Sequence, residues 1–152
     1  LKIKILVIVI IVFSLILING CSPKRELEKQ PPEMEGFVKA DGEMYELERG
    51  GYRWEWKNGT DTAVVTTDHA SPNQMAESIK PIHLTSNGRI EIQIEENPEL
   101  TVFLWNKSER EKEIPLKEKQ FLLPAAKGKY IYEVLAKWHE GEVSYTFVAE
   151  VH

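Results

Sequence analysis

From residue 36 onward, apolar and polar positions alternate in short runs of period two, separated by turn dipeptides, which is the grammar of antiparallel strands. Residues 89–95 carry the cleanest example: Ile90, Ile92 and Ile94 fall on one face, Glu91, Gln93 and Glu95 on the other. Such a strand is half-buried. The run 100–105 is apolar nearly throughout and predicts a strand covered on both faces, and 120–123 predicts a shorter one before Pro124. Residues 129–138 and 142–151 predict the strongest hairpin, joined through His139, Glu140 and Gly141. Along its second arm Val143, Tyr145, Phe147, Ala149 and Val151 share the core face, and Ser144, Thr146 and Glu150 are expected to face outward.

Three dipeptides supply the positive φ angles that tight hairpins need: Asp41-Gly42, Asn58-Gly59 and Asn87-Gly88. The first divides 37–40 from 44–48, the second ends the run 52–57, and the third precedes 89–95. Each predicts antiparallel pairing. One helical signal interrupts the pattern, because Ser71 can cap a turn started by Pro72, near 72–78, between a strand at 62–67 and the segment 81–84. Seven or so short strands in about 115 residues, with no long helix, predict an all-β antiparallel sandwich forming one domain over 36–152.

Ahead of the domain the pattern changes. Lys2 and Lys4 give residues 1–20 a basic front, and 5–18 are apolar with Ser14 as the one interruption, which is the shape of an export signal. Such a run nearly suffices to span a bilayer, so its end must separate a removable signal from an uncleaved anchor. That end reads Ile18-Asn19-Gly20-Cys21. It resembles the lipobox of bacterial lipoproteins of the Gram-positive type, in which an aliphatic, a tolerant and a small residue precede an invariant cysteine. The resemblance covers residues 1–21. It implies a diacylglyceryl group on the thiol of Cys21, removal of 1–20, and a protein exported and lipid-anchored to the outer face of the cell membrane. Each buried acyl CH₂ contributes about 0.8 kcal/mol, so two or more chains hold such a protein essentially permanently. Residues 22–35 are dense in charge and proline, and 21–35 is expected to be a lipidated, flexible tether.

The formal charge is −5, and loss of the two lysines with residues 1–20 leaves −7. A surface of that sign repels phosphate backbones, and nucleic acid is excluded as a partner.

Gly128-Lys129-Tyr130-Ile131-Tyr132 opens the penultimate strand. It resembles the start of strand F in immunoglobulin-like domains, where a tyrosine returns its hydroxyl to the backbone as a tyrosine corner. The resemblance gives that role to Tyr130 and puts Tyr132 where the family carries a cysteine. Cys21 is the sole cysteine, so the family's disulfide is missing. More broadly, 127–151 is similar to the closing hairpin of small secreted Gram-positive lipoproteins with immunoglobulin-like domains, a likeness that carries no activity.

Catalytic and metal chemistry find little support. The four histidines, His69, His83, His139 and His152, include no close pair of the kind zinc sites use, and neither a metal nor a cofactor is expected. Asp68-His69-Ala70-Ser71 gathers three triad residue types, but a working triad converges from separate elements beside an oxyanion hole. A turn with Ser71 as helix cap accounts for the segment, and no catalytic residue is assigned. Tyr52, Trp54 and Trp56 share one strand face opposite Arg53, Glu55 and Lys57. At strand period such a stripe is core; the alternative is a surface that stacks on envelope sugars or peptides, with Trp54, Trp56, Asp68 and His69 as its ligand face. The expected function is a non-enzymatic binding or accessory module facing a protein or cell-envelope ligand. Alternatives are a sensory or inhibitory domain acting on a neighbouring membrane protein, and a small envelope hydrolase centred on 68–71.

Overall fold

A computed structural model describes residues 31–152; the expected export signal, the expected lipobox residues Ile18, Asn19, Gly20 and Cys21, and the expected tether up to residue 30 lie outside the described residues. Strands β1 (Gly36–Ala40) and β2 (Glu43–Glu46) fold back through Asp41 and Gly42, at φ 50° and 84°, so that Ala40 pairs with Glu43. Those angles are the mirror-image turn that matches strand twist. Further along the chain come β3 (Glu48–Asn58), β4 (Asp61–Thr67), β5 (Ile82–Leu84), β6 (Arg89–Ile94) and β7 (Glu99–Trp105). They are followed by β8 (Arg110–Ile114), β9 (Gln120–Leu122), β10 (Gly128–Lys137) and β11 (Gly141–Val151).

The strands form two sheets packed face to face. One runs β2-β1-β6-β9, the other β4-β3-β11-β10-β7-β8, with β5 parallel to the end of β11. Alternation puts Val38, Ile90 and Ile92 of the first sheet against Val102, Val134, Val143 and Phe147 of the second, all essentially without solvent contact. This is an immunoglobulin-like sandwich: β6 and β9 stand as strands B and E, facing β7, β10 and β11 as C, F and G. The tyrosine corner is formed, with the Tyr130 hydroxyl donating to the Ala126 carbonyl at 2.9 Å. Tyr132, at the cysteine position, is buried between Phe147, stacked at 5.0 Å, and Phe121 of the opposite sheet, tilted at 5.1 Å. Aromatic packing joins the sheets where the family has a disulfide.

The helical turn α1 (Pro72–Met75) carries a full capping box: the Ser71 hydroxyl accepts from the Gln74 N–H and the Gln74 side chain accepts from the Ser71 N–H. Its packing corrects one expectation. Thr146 does not face solvent but is fully buried under α1, its hydroxyl 3.6 Å from the Met75 sulfur. Asn87-Gly88 is a second correction, since its flanks do not pair: β5 runs beside β11, whereas β6 lies between β1 and β9. Asn87 has the expected positive φ of 58°, and the Gly88 N–H donates to Thr85 at 3.0 Å. That turn reverses the chain locally but carries it from one sheet to the other. Residues 31–35, expected in the tether, are a third. Met34 is buried, its carbonyl accepts from the Tyr145 hydroxyl at 2.7 Å, and Arg49 donates to the Pro32 carbonyl at 3.3 Å. Finally, β7 is not covered on both faces: Val102 and Leu104 are buried on its core face, whereas Thr101, Phe103 and Trp105 are half-buried on the other.

Candidate functional site

The large sheet is wider and longer than its partner, and a cleft opens where it overhangs. Pairing of β3 with β11 runs from Glu48 opposite Thr146 to Trp54 opposite Gly141, after which β3 continues beside β4 alone. Trp56 therefore stands on β3 past the start of β11. The space beside it is a cleft of about 890 Å³. Its walls are residues 32–34, the β6–β7 connection at 95–98 and the β10–β11 turn at 138–140.

Three indoles line it. Trp54 is 2% exposed, its ring 5.7 Å from that of Trp138 and 6.3 Å from that of half-buried Trp56, both tilted by 53°. The Trp138 N–H donates to the Glu95 carbonyl at 3.2 Å. The Trp54 N–H is buried and has no hydrogen-bond partner among the described residues. An unpaired buried donor costs about 1–3 kcal/mol, a cost that a phenylalanine packed in the same place would not carry. Around the indoles stand Glu33, Glu95, Glu96, Glu99 and Glu140, with Lys137 as the one lysine of the lining. Glu96 and Asn97 both hold positive φ, 58° and 49°, in the turn that sets this rim. Non-glycine residues in that region are held there only by their surroundings. The backbone of Glu35 donates to the Glu95 carboxylate at 3.0 Å and closes the N-terminal segment onto the rim.

The expected ligand face divides. Trp54 and Trp56 meet in the cleft, but Asp68 and His69 do not join them: they follow Thr67, which pairs with Tyr52, whereas Trp56 pairs with Ala63 four positions along the ladder. Asp68 instead borders a depression with Arg53, Arg110 and Glu142 on the other face of the sheet. Ser71 is committed to its capping box. The sequence offers Trp138, like Trp105, as an aromatic that is either core or a stacking surface, but its place beside Trp54 and the part of the 95–98 connection escaped sequence reasoning, because they depend on how two sheets are superposed. So did His83, Glu150 and His152, whose potential metal-ligating atoms all lie within 4.8 Å of one another. The sequence test for close histidine pairs could not find them, since β5 and β11 bring together positions 69 residues apart. No protein-family model matches the chain, nor does any curated protein or solved structure.

Proposed function

We propose that the protein is an exported, lipid-anchored, non-enzymatic binding module whose ligand presents a cationic group to the tryptophan cleft. The composition of the cleft carries this reading: three tryptophans and five glutamates line it, against one lysine. A cation held over an indole face gains roughly 0.5–1 kcal/mol at an exposed site and about 2 when desolvated, and the carboxylates add long-range attraction. The connections that wall the cleft, β6–β7 and β10–β11, correspond to the B–C and F–G loops that contact antigen in immunoglobulin variable domains. That correspondence concerns architecture and supports location, not ligand. The acidic balance of the chain fits the same charge preference.

One observation favours a second reading, a sensory or inhibitory domain acting on a neighbouring membrane protein. Residues 32–34 both follow the expected tether and wall the cleft, so occupancy and the packing of this segment on the domain are linked.

The test uses the full chain in detergent and follows tryptophan fluorescence during titration with tetramethylammonium chloride or with Nα-acetyl-lysine amide, against sodium chloride. A saturable change, abolished in Trp56→Ala with its unfolding midpoint retained, is the expected result. No saturable change, or the same change in Trp56→Ala, overturns the reading. Altered protease sensitivity of residues 31–35 on saturation would favour the sensory alternative.

A further inference from the structure

At the opposite end of β11 from the cleft, the parallel pairing with β5 places His83 directly beside Glu150, and His152 lies two residues further on the same face. All three sit on the outer side of the sheet, since their neighbours Ile82, Leu84, Ala149 and Val151 are buried in the core. The backbone N–H of His152 donates to the Leu84 carbonyl at 3.1 Å, which extends the parallel ladder and holds the last ring over the first. The two imidazoles stack with centroids 5.2 Å apart. Nδ1 of His83 is 2.9 Å from Nε2 of His152 and 3.6 Å from a carboxylate oxygen of Glu150. Lys129, the cross-strand neighbour of Glu150, directs its ammonium to the Ala76 carbonyl at 3.5 Å, away from the carboxylate.

We propose that His83, Glu150 and His152 form a binding site for a divalent transition-metal ion of the zinc class. Zn–N bonds of roughly 2.0–2.1 Å in a tetrahedron set neighbouring donor atoms about 3.3 Å apart. Two of the spacings, 2.9 and 3.6 Å, bracket that value and all three donor atoms lie within 4.8 Å of one another, so side-chain rotations that draw the Glu150 carboxylate toward His152 seat the ion. Without metal, the close pair of ring nitrogens shares a proton as a hydrogen bond. On binding, the proton held between the rings passes by exchange with solvent to the far nitrogen of the ring that carried it, so that Nε2 of His83 and Nδ1 of His152 are both protonated and Nδ1 of His83 and Nε2 of His152 each turn a lone pair to the ion. Two imidazoles and one carboxylate favour zinc, nickel or copper over magnesium and calcium, which take oxygen-rich shells. A fourth position stays open to water or to a group on a partner. Because the ligands join an edge strand of three residues to the last strand, the ion also clamps β5 to the sheet.

The experiment is calorimetric titration of the full, untagged chain in detergent with Zn²⁺, alongside His83→Ala, His152→Ala and Glu150→Gln. One ion per chain is expected, with affinity weakened at least tenfold in each histidine variant and less in Glu150→Gln, and no displacement by millimolar Mg²⁺ or Ca²⁺. Zn²⁺ is also expected to raise the unfolding midpoint of the wild type and not of His152→Ala. His152 follows the last strand residue, so its substitution keeps the test valid if His83→Ala folds poorly. Absence of binding to the wild type, or wild-type affinity in His152→Ala, overturns the site and leaves the proposal for the cleft untouched.

Discussion

Arg110 of β8 reaches across β7 to grip Glu133 of β10 with two hydrogen bonds, 2.8 Å from Nε and 2.9 Å from Nη2. On the way its guanidinium lies 4.2 Å from the centroid of the Phe103 ring. Glu133 is on the outer face yet only 4% exposed, and its oxygens also accept from the Trp105 indole at 2.7 Å and the Ser144 hydroxyl at 3.0 Å. A charge so enclosed is tolerated because every approach to it is a donor.

Replacing Glu133 by Gln is therefore expected to destabilise the fold by about 1–3 kcal/mol, since the amide cannot accept from all four donors. Chemical denaturation of both forms at neutral pH measures this. Burial would raise the carboxyl pKa, but the hydrogen bonds from Arg110 and Trp105 outweigh it and hold Glu133 below the ordinary carboxylate range. A group depressed in the folded state stabilises above its unfolded pKa and loses that contribution as pH falls through its folded value. The gap between wild type and Glu133→Gln should thus narrow only below about pH 4, and a gap that is constant from pH 7 to pH 3 would contradict this account.

Tyr145 makes a comparable anchor at the N-terminal edge. Burial pushes its phenol up to about 12, with Arg49 opposing the shift, so it remains a neutral donor to Met34 at every physiological pH. Tyr145→Phe should cost about 1 kcal/mol and release residues 31–35 from the cleft wall. Limited proteolysis followed by mass spectrometry would show new cleavage between residues 31 and 35; an unchanged fragment pattern would mean that Met34 burial alone holds the segment.

How much of this was legible in the sequence depended on whether a residue's role is local. Ile90, Ile92 and Ile94 declared their face by period two, Asp41-Gly42 declared its turn, and Ser71 declared its cap, because each needs only its near neighbours. Strand β8, REKEI, did not, for an edge strand exposed along most of its length carries no apolar alternation. Thr146 was misplaced because what covers it is a helix 71 residues away. The cleft was half legible: Trp54 and Trp56 stand on one strand, whereas Trp138 and Glu95 reach it only through sheet packing. Asp68 and His69 were drawn in by nearness in sequence, which the β3–β4 ladder turns into distance.

The lipid anchor is tested at Cys21. Cys21→Ser should abolish acylation and leave residues 1–20 uncleaved, so that the protein gains the mass of 1–20 and lacks the acyl mass, while the retained apolar run holds it at the membrane. Fractionation of cells and intact-mass measurement would settle both points. A Cys21→Ser protein that stays membrane-bound with unchanged mass would sink the lipobox reading.

Two glycine substitutions separate steric from conformational demands in the same fold. Gly42 needs its positive φ of 84° but has open space around it, so Gly42→Ala should cost only the backbone term, about 1–2 kcal/mol. Gly141 is different. A Cβ there would overlap the Arg53 carbonyl oxygen and lie 2.7 Å from the Trp54 ring and 2.8 Å from the Trp54 Cα, and two of these three atoms are backbone that no rotamer change can move. Gly141→Ala must push β3 away from β11 at the mouth of the cleft, at a cost at or above the 1–3 kcal/mol typical of overpacking. Because Trp54 touches Trp138 and Trp56, the displacement should also change the near-ultraviolet circular dichroism of the tryptophans, which Gly42→Ala should leave as it is. If Gly141→Ala matched Gly42→Ala in both stability and spectrum, the close approach of β11 to Trp54 that shapes the cleft would be disproved.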